Sequence, residues 1–150
     1  MLKKNIIILS LILFLTNCGF TPIYLKNNNL NFSIEQIKYT GDRDLNNFLK
    51  INLDRYKNEK INNKIFLTGD TKYEKNILSK DGTGKITSYQ LEVEVTFVVK
   101  STNKKIRISE KKVIDSMDDK FEEARYEKSI KKSFAYSISN KLISELIVNP

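Results

Sequence analysis

The chain has 150 residues, with 26 lysines and arginines against 18 aspartates and glutamates, no histidine and one cysteine, for a net charge of +8. That length supports one core of moderate size and not two. Without histidine or a second cysteine there is no intrachain disulfide, no Cys–His nucleophile pair and no histidine-ligated metal, so an enzyme would be left with Ser/Lys or carboxylate chemistry.

The N-terminus reads as a targeting segment. Met1–Lys4 gives a positive start, and Ile6 to Leu15 (IIILSLILFL) is an almost unbroken apolar run of 10 residues. A spanning helix needs about 20 residues, so the run fits the apolar core of a secretory signal peptide instead. Leu15-Thr16-Asn17-Cys18 resembles the lipobox of bacterial lipoproteins, with Asn17 standing where Gly, Ala or Ser is usual. The resemblance implies that residues 1–17 are removed as a lipoprotein signal peptide. Cys18 would then carry a diacylglycerol on its sulfur and an acyl chain on its amine (a covalent lipid, with no other cofactor). Gly19 follows the cysteine where Asp would signal retention at the inner membrane, so the resemblance points to the outer membrane. One acyl chain binds a bilayer only marginally, at about 0.8 kcal/mol per buried CH2, whereas three hold it firmly.

Removing residues 1–17 takes away two lysines and leaves 133 residues at about +6. The remaining cations are nearly all lysine and are dispersed along the chain, which reads as a solvated surface before an anion site. Dispersion and export together argue against nucleic acid as a partner. Residues 18–29 form a lipidated N-terminus and asparagine-rich tether. At ~3.3 to 3.6 Å per residue, the stretch from Cys18 to Leu30 reaches about 40 Å when extended.

Residues 30–150 read as one domain. Leu30 to Tyr39 (LNFSIEQIKY) alternates and then shifts phase, which predicts a strand with a bulge or bend near Glu35-Gln36. Gly41 stops it. Asp42 is placed to cap a helix and Asp44 to favour its first turn, with Leu45, Phe48, Leu49, Leu53 and Tyr56 on one core-facing side. Ile65 to Ile77 predicts a second strand, Gly69 marking a bulge or a close approach. Ser79 to Lys85 (SKDGTGK) is a turn: the spacing of a phosphate-binding loop is absent and a strand follows where a helix is needed. Thr87 to Val99 alternates throughout, with Thr87, Tyr89, Leu91, Val93, Val95, Phe97 and Val99 on one face. Ser101 to Lys105 makes a turn, and Ile106 to Asp115 a fourth strand.

A long helix closes the chain, with a predicted core stripe of Phe121, Ala124, Phe134, Ile138, Leu142 and Leu146. Four carboxylates (Asp118, Asp119, Glu122, Glu123) stand at its start, where the helix dipole accounts for them better than acid–base or metal chemistry does. Lys128, Lys131, Lys132 and Lys141 follow C-terminal to them, as the dipole favours.

The order β-α-β-β-β-α predicts an α+β fold: a four-stranded antiparallel or mixed sheet with both helices packed on one face. Cys18-Gly19-Phe20-Thr21-Pro22-Ile23-Tyr24, directly after the lipobox, resembles the opening of alphaproteobacterial LPS-assembly lipoproteins of the LptE type. That family has the same element order. The resemblance implies a non-enzymatic lipoprotein, anchored on the periplasmic side of the outer membrane. It would partner the LptD barrel, plug and support it, and bind lipopolysaccharide in transit. Lys80 and Lys85 before the long strand, and Lys104 and Lys105 after it, are the residues to examine for contacts with lipid phosphates, as point charges lacking arginine's fork. The alternative is an auxiliary lipoprotein of an ABC-type lipid transport system.

Overall fold

The computed structural model describes residues 30–148. Cys18, the signal segment and the tether lie outside the described residues. The order is β1 (Ser33–Gly41), α1 (Arg43–Leu53) with a 3-10 turn at Asp54–Tyr56, β2 (Lys64–Lys80), β3 (Ile86–Val99), β4 (Lys104–Asp115) and α2 (Lys120–Val148). The four strands form one sheet in sequential order. The sheet is mixed: β1 lies parallel to β2, while β2–β3 and β3–β4 are antiparallel hairpins. The helical crossover α1 makes the parallel pair, because a strand that returns in the same direction needs a connection of a dozen residues or more.

Local chemistry sets each boundary. The ladder between β1 and β2 shifts register between Ile34 and Gln36, so Glu35 is the extra residue of the expected bulge. Asp42 caps α1, its Oδ1 accepting from the Leu45 amide at 2.8 Å. Gly41 before it has φ +92°, a conformation that a side chain disfavours. It also lies flat against β2: a Cβ there would stand 1.8 Å from the Thr71 carbonyl oxygen. Thr71 holds that junction twice, its carbonyl accepting from the Asp42 amide at 3.2 Å and its Oγ1 donating to the Thr40 carbonyl at 2.9 Å. The turn into β4 ends on Asn103 at φ 55°, the left-handed region asparagine tolerates best after glycine.

One hydrophobic cluster draws on every strand and both helices. Leu91, Val93, Val95 and Phe97 of β3 are fully buried, as their alternation requires, beneath Leu45, Leu49 and Leu53 of α1 and Ile138 and Leu142 of α2. The opposite sheet face is mostly polar and laced with ion pairs, such as Lys72–Glu74 at 2.7 Å and Lys111–Glu92 at 3.0 Å.

Of the two readings of Gly69, the close approach holds and the bulge does not: its ladder is regular, and the Tyr39 ring lies over it, with Cδ1 3.1 Å from where a Cβ would be. Two other expectations change. Strand β2 runs on to Lys80, with its irregularities between Ile77 and Lys80 where the loop was expected. Phe121 and Ala124 are exposed, Phe121 by 70 %. The inward face of α2 instead steps from Glu123 through Glu127 and Ile130 to Phe134, because the sheet beneath its first turns presents Tyr73 and Lys75, which bond carboxylates.

Candidate functional site

The four lysines singled out in the sequence lie at two opposite ends of the sheet. Lys80 and Lys85 flank the β2–β3 turn, and Lys104 and Lys105 open β4 beside the far end of β3. Fourteen residues of β3 separate the two pairs, about 45 Å at ~3.4 Å per residue, so no single head group meets all four. At the first end, Asp81 Oδ1 gathers the Thr83 amide at 2.8 Å, the Thr83 hydroxyl at 2.7 Å and the Lys85 amide at 3.0 Å. Those bonds hold its carboxyl below the usual range and fix the turn. Lys85 Nζ lies 2.8 Å from Asp118 Oδ1, an exposed pair that raises the lysine and lowers the aspartate. Exposed apolar side chains stand on the strand beside this turn, Ile77 at 52 % and Leu78 at 51 %.

At the second end, Lys104 is half-buried and Lys105 exposed. Both line a groove of about 910 Å³ between β4 and α2, together with Arg107, Tyr136, Asn140 and Lys141. Lys104 also borders a smaller cavity of about 360 Å³ with Phe32, Val99 and Leu146, at the end where the chain enters β1.

A network that the sequence did not announce joins α2 to the sheet. Lys75 Nζ lies 2.9 Å from both Glu123 Oε1 and Glu127 Oε2, and 4.3 Å from the centre of the Tyr89 ring. The Tyr73 hydroxyl donates to Glu127 Oε1 at 2.6 Å; burial and that bond push the phenol well above its ordinary pKa. Lys131 Nζ reaches Asp42 Oδ2 at 3.0 Å and sits 3.8 Å over the Tyr73 ring. Glu123, 4 % exposed, also accepts the Met117 amide at 2.9 Å. The Lys75 ammonium and that amide bring its pKa down to about 2. One signal was available: Lys75 continues the alternation Leu67, Gly69, Thr71, Tyr73, so a cation on the core face demands a buried counter-charge.

The carboxylates at the start of α2 are thus structural. Asp119 Oδ1 caps the helix by accepting the Phe121 amide at 2.8 Å and the Glu122 amide at 3.2 Å. Glu122 pairs with Arg125 at 2.8 Å, and Asp118 and Glu123 are engaged as described. Among the described residues no cluster of acidic side chains could hold a metal ion. No helix among them is long and apolar enough to cross a membrane.

No protein-family model and no curated protein sequence matches the chain. Solved structures do match. The crystal structure of rare lipoprotein B from Shewanella oneidensis superposes with a TM-score of 0.58 at 16 % identity, over 78 % of this chain and 93 % of that one. A minor lipoprotein from Acinetobacter baumannii gives 0.52 at 17 % identity, over 76 % and 92 %. Lipoprotein B from Nitrosomonas europaea, called uncharacterized, gives 0.51 at 14 % identity, over 79 % and 88 %. The described domain therefore has the fold of these bacterial lipoproteins.

Proposed function

We propose that this chain is a lipid-anchored outer-membrane lipoprotein of the LptE type, which partners the LptD barrel in carrying lipopolysaccharide to the cell surface. The observation that carries the reading is the fold, shared with rare lipoprotein B over 93 % of that protein's chain. The lipobox-like Leu15–Cys18 and the run Cys18–Tyr24 support it from the sequence side. A polar sheet face and basic ends suit contact with barrel walls and an anionic glycolipid. The role is one of holding and supporting, with no catalytic step.

The test is detergent extraction of tagged chain from its own membranes, with identification of what co-elutes. Recovery of an outer-membrane barrel supports the reading; recovery of an inner-membrane ATPase complex overturns it in favour of ABC-type lipid transport. Cys18→Ala should release the exported protein into the soluble fraction, read by pelleting after an alkaline wash. Lys80 and Lys85, or Lys104 and Lys105, would meet lipid phosphates. Alanine at both members of the contacting pair should weaken binding of purified lipopolysaccharide at low salt about tenfold, or ~1.4 kcal/mol. Unchanged affinity in both double variants removes the lysines from the site.

A further inference from the structure

We propose that β4 accepts an added strand: an extended, acidic segment of a partner protein pairs along its free edge. Among the described residues the strand order leaves β1 and β4 as edges. They are not equivalent. Strand β1 is nine residues long and broken by the Glu35 bulge, whereas β4 is twelve residues long and pairs with β3 without a register shift. A bulge blunts an edge; a long regular strand leaves a template for another chain.

The direction of the backbone groups follows from one bond. The Ser116 amide donates to the Thr87 carbonyl at 2.8 Å, so Ser116 turns toward β3. In an antiparallel ladder inward- and outward-turned residues alternate. Lys105, Arg107, Ser109, Lys111 and Val113 therefore turn their N–H and C=O groups outward, five consecutive positions of a docking ladder. Space is present beside it. The far wall of the groove between β4 and α2 is made of Ser133, Tyr136, Ser137, Asn140 and Ser144, with the charged Lys141 and Glu145 beside them. The three serines leave room for side chains of an added strand, and Lys141 is turned to Glu110.

Charge selects the occupant. Strand β4 carries five cations, Lys104, Lys105, Arg107, Lys111 and Lys112, against Glu110 and Asp115. Glu110 is already engaged, 2.6 Å from Ser137 Oγ and 2.7 Å from Lys141 Nζ. Arg107 and Lys111 lean toward Glu94 at 3.7 Å and the half-buried Glu92 at 3.0 Å, pairs that water at least partly screens and that an incoming carboxylate can share. A second copy of β4, paired antiparallel about Ser109, would set Arg107 against Lys111, and like charges directly opposite are unfavourable. The lysines deter self-pairing and neutral strands while favouring a partner that alternates carboxylates. Strand addition of this kind takes its affinity from the backbone and its selectivity from alternate side chains.

The test is amide hydrogen exchange on the full chain in detergent micelles. The probe is a capped ten-residue peptide alternating glutamate with valine or threonine, beside its lysine counterpart. Saturating acidic peptide should slow the amides of Lys105, Arg107, Ser109, Lys111 and Val113 at least tenfold and leave those of Ile106, Ile108 and Glu110 as they were. Ser109→Pro removes one outward N–H and should weaken peptide binding more than tenfold, while Ser109→Val should not. Should the proline variant fail to fold, Lys105→Glu with Lys112→Glu gives the same answer by shifting preference to the lysine peptide. No protection on β4, protection centred on β1, or equal protection by both peptides overturns the proposal. So does protection by phosphatidylglycerol vesicles in place of the peptide, which would make the edge a head-group surface.

Discussion

Gly41 carries more of the architecture than its size suggests. It ends β1, precedes the Asp42 cap and touches the backbone of β2, all in a left-handed conformation. Alanine would bring both an unfavourable φ and a Cβ 1.8 Å from a carbonyl oxygen that sits in the ladder and cannot swing away. Gly41→Ala should therefore cost more than about 2 kcal/mol, measured by urea unfolding. A loss below ~0.5 kcal/mol would mean that the α1–β2 junction yields freely. Gly84 also has a positive φ, at 86°, but a Cβ there meets nothing within 4 Å, so only the φ penalty applies.

Among the elements, α2 depends on ionisation at its start. Glu123 is held at about 2 against an ordinary 4.5. A carboxyl whose folded pKa is depressed contributes stability above its unfolded pKa and loses that contribution as pH falls through its folded value. The thermal midpoint should accordingly fall between pH 4.5 and pH 2, and Glu123→Gln should flatten that limb while lowering stability at neutral pH. Parallel acid limbs in the two proteins would show that the charge of Glu123 contributes nothing.

The same helix shows what a sequence discloses and where it stops. The stripe Phe134, Ile138, Leu142, Leu146 was legible because apolar residues at helical spacing have one solution. The cap at Asp42, the bulge at Glu35 and the face of β3 from Tyr89 to Val99 were legible for equally local reasons: a side-chain acceptor, a phase shift and a period of two. Before Tyr89 the faces swap, Thr87 being exposed and Ser88 buried. Extending the stripe back to Phe121 and Ala124 failed, since apolar character there lost to the carboxylates that meet Lys75 and Tyr73. Nothing local to α2 reveals those partners, about 50 residues away. The lysines proposed as one kind of contact were also separated by strand length, a quantity fixed only once β2 and β3 are paired. The groove beside β4 depends on how α2 crosses the sheet, which no single segment encodes.

At the scale of the whole molecule, one cluster joins every strand to both helices, so the fold should respond as a unit. Leu142, fully buried on α2, is the probe. Leu142→Ala should cost about 2 to 5 kcal/mol. It should lower a single transition in which far-ultraviolet dichroism and tyrosine fluorescence still coincide. Two separated transitions would mean that α2 and the sheet melt independently.

The direction of β1 has a mechanical consequence. The chain reaches the sheet at Ser33, paired with Lys64, and β1 runs from there toward Gly41, alongside a strand that continues to the β2–β3 turn. A pull on the segment before Leu30, resisted at that distant turn, would strain the β1–β2 ladder along its length, with its hydrogen bonds sharing the load instead of opening one after another. A protein held by its leading end and gripped at the opposite tip would thus be loaded in shear, the geometry in which a strand pair resists rupture best.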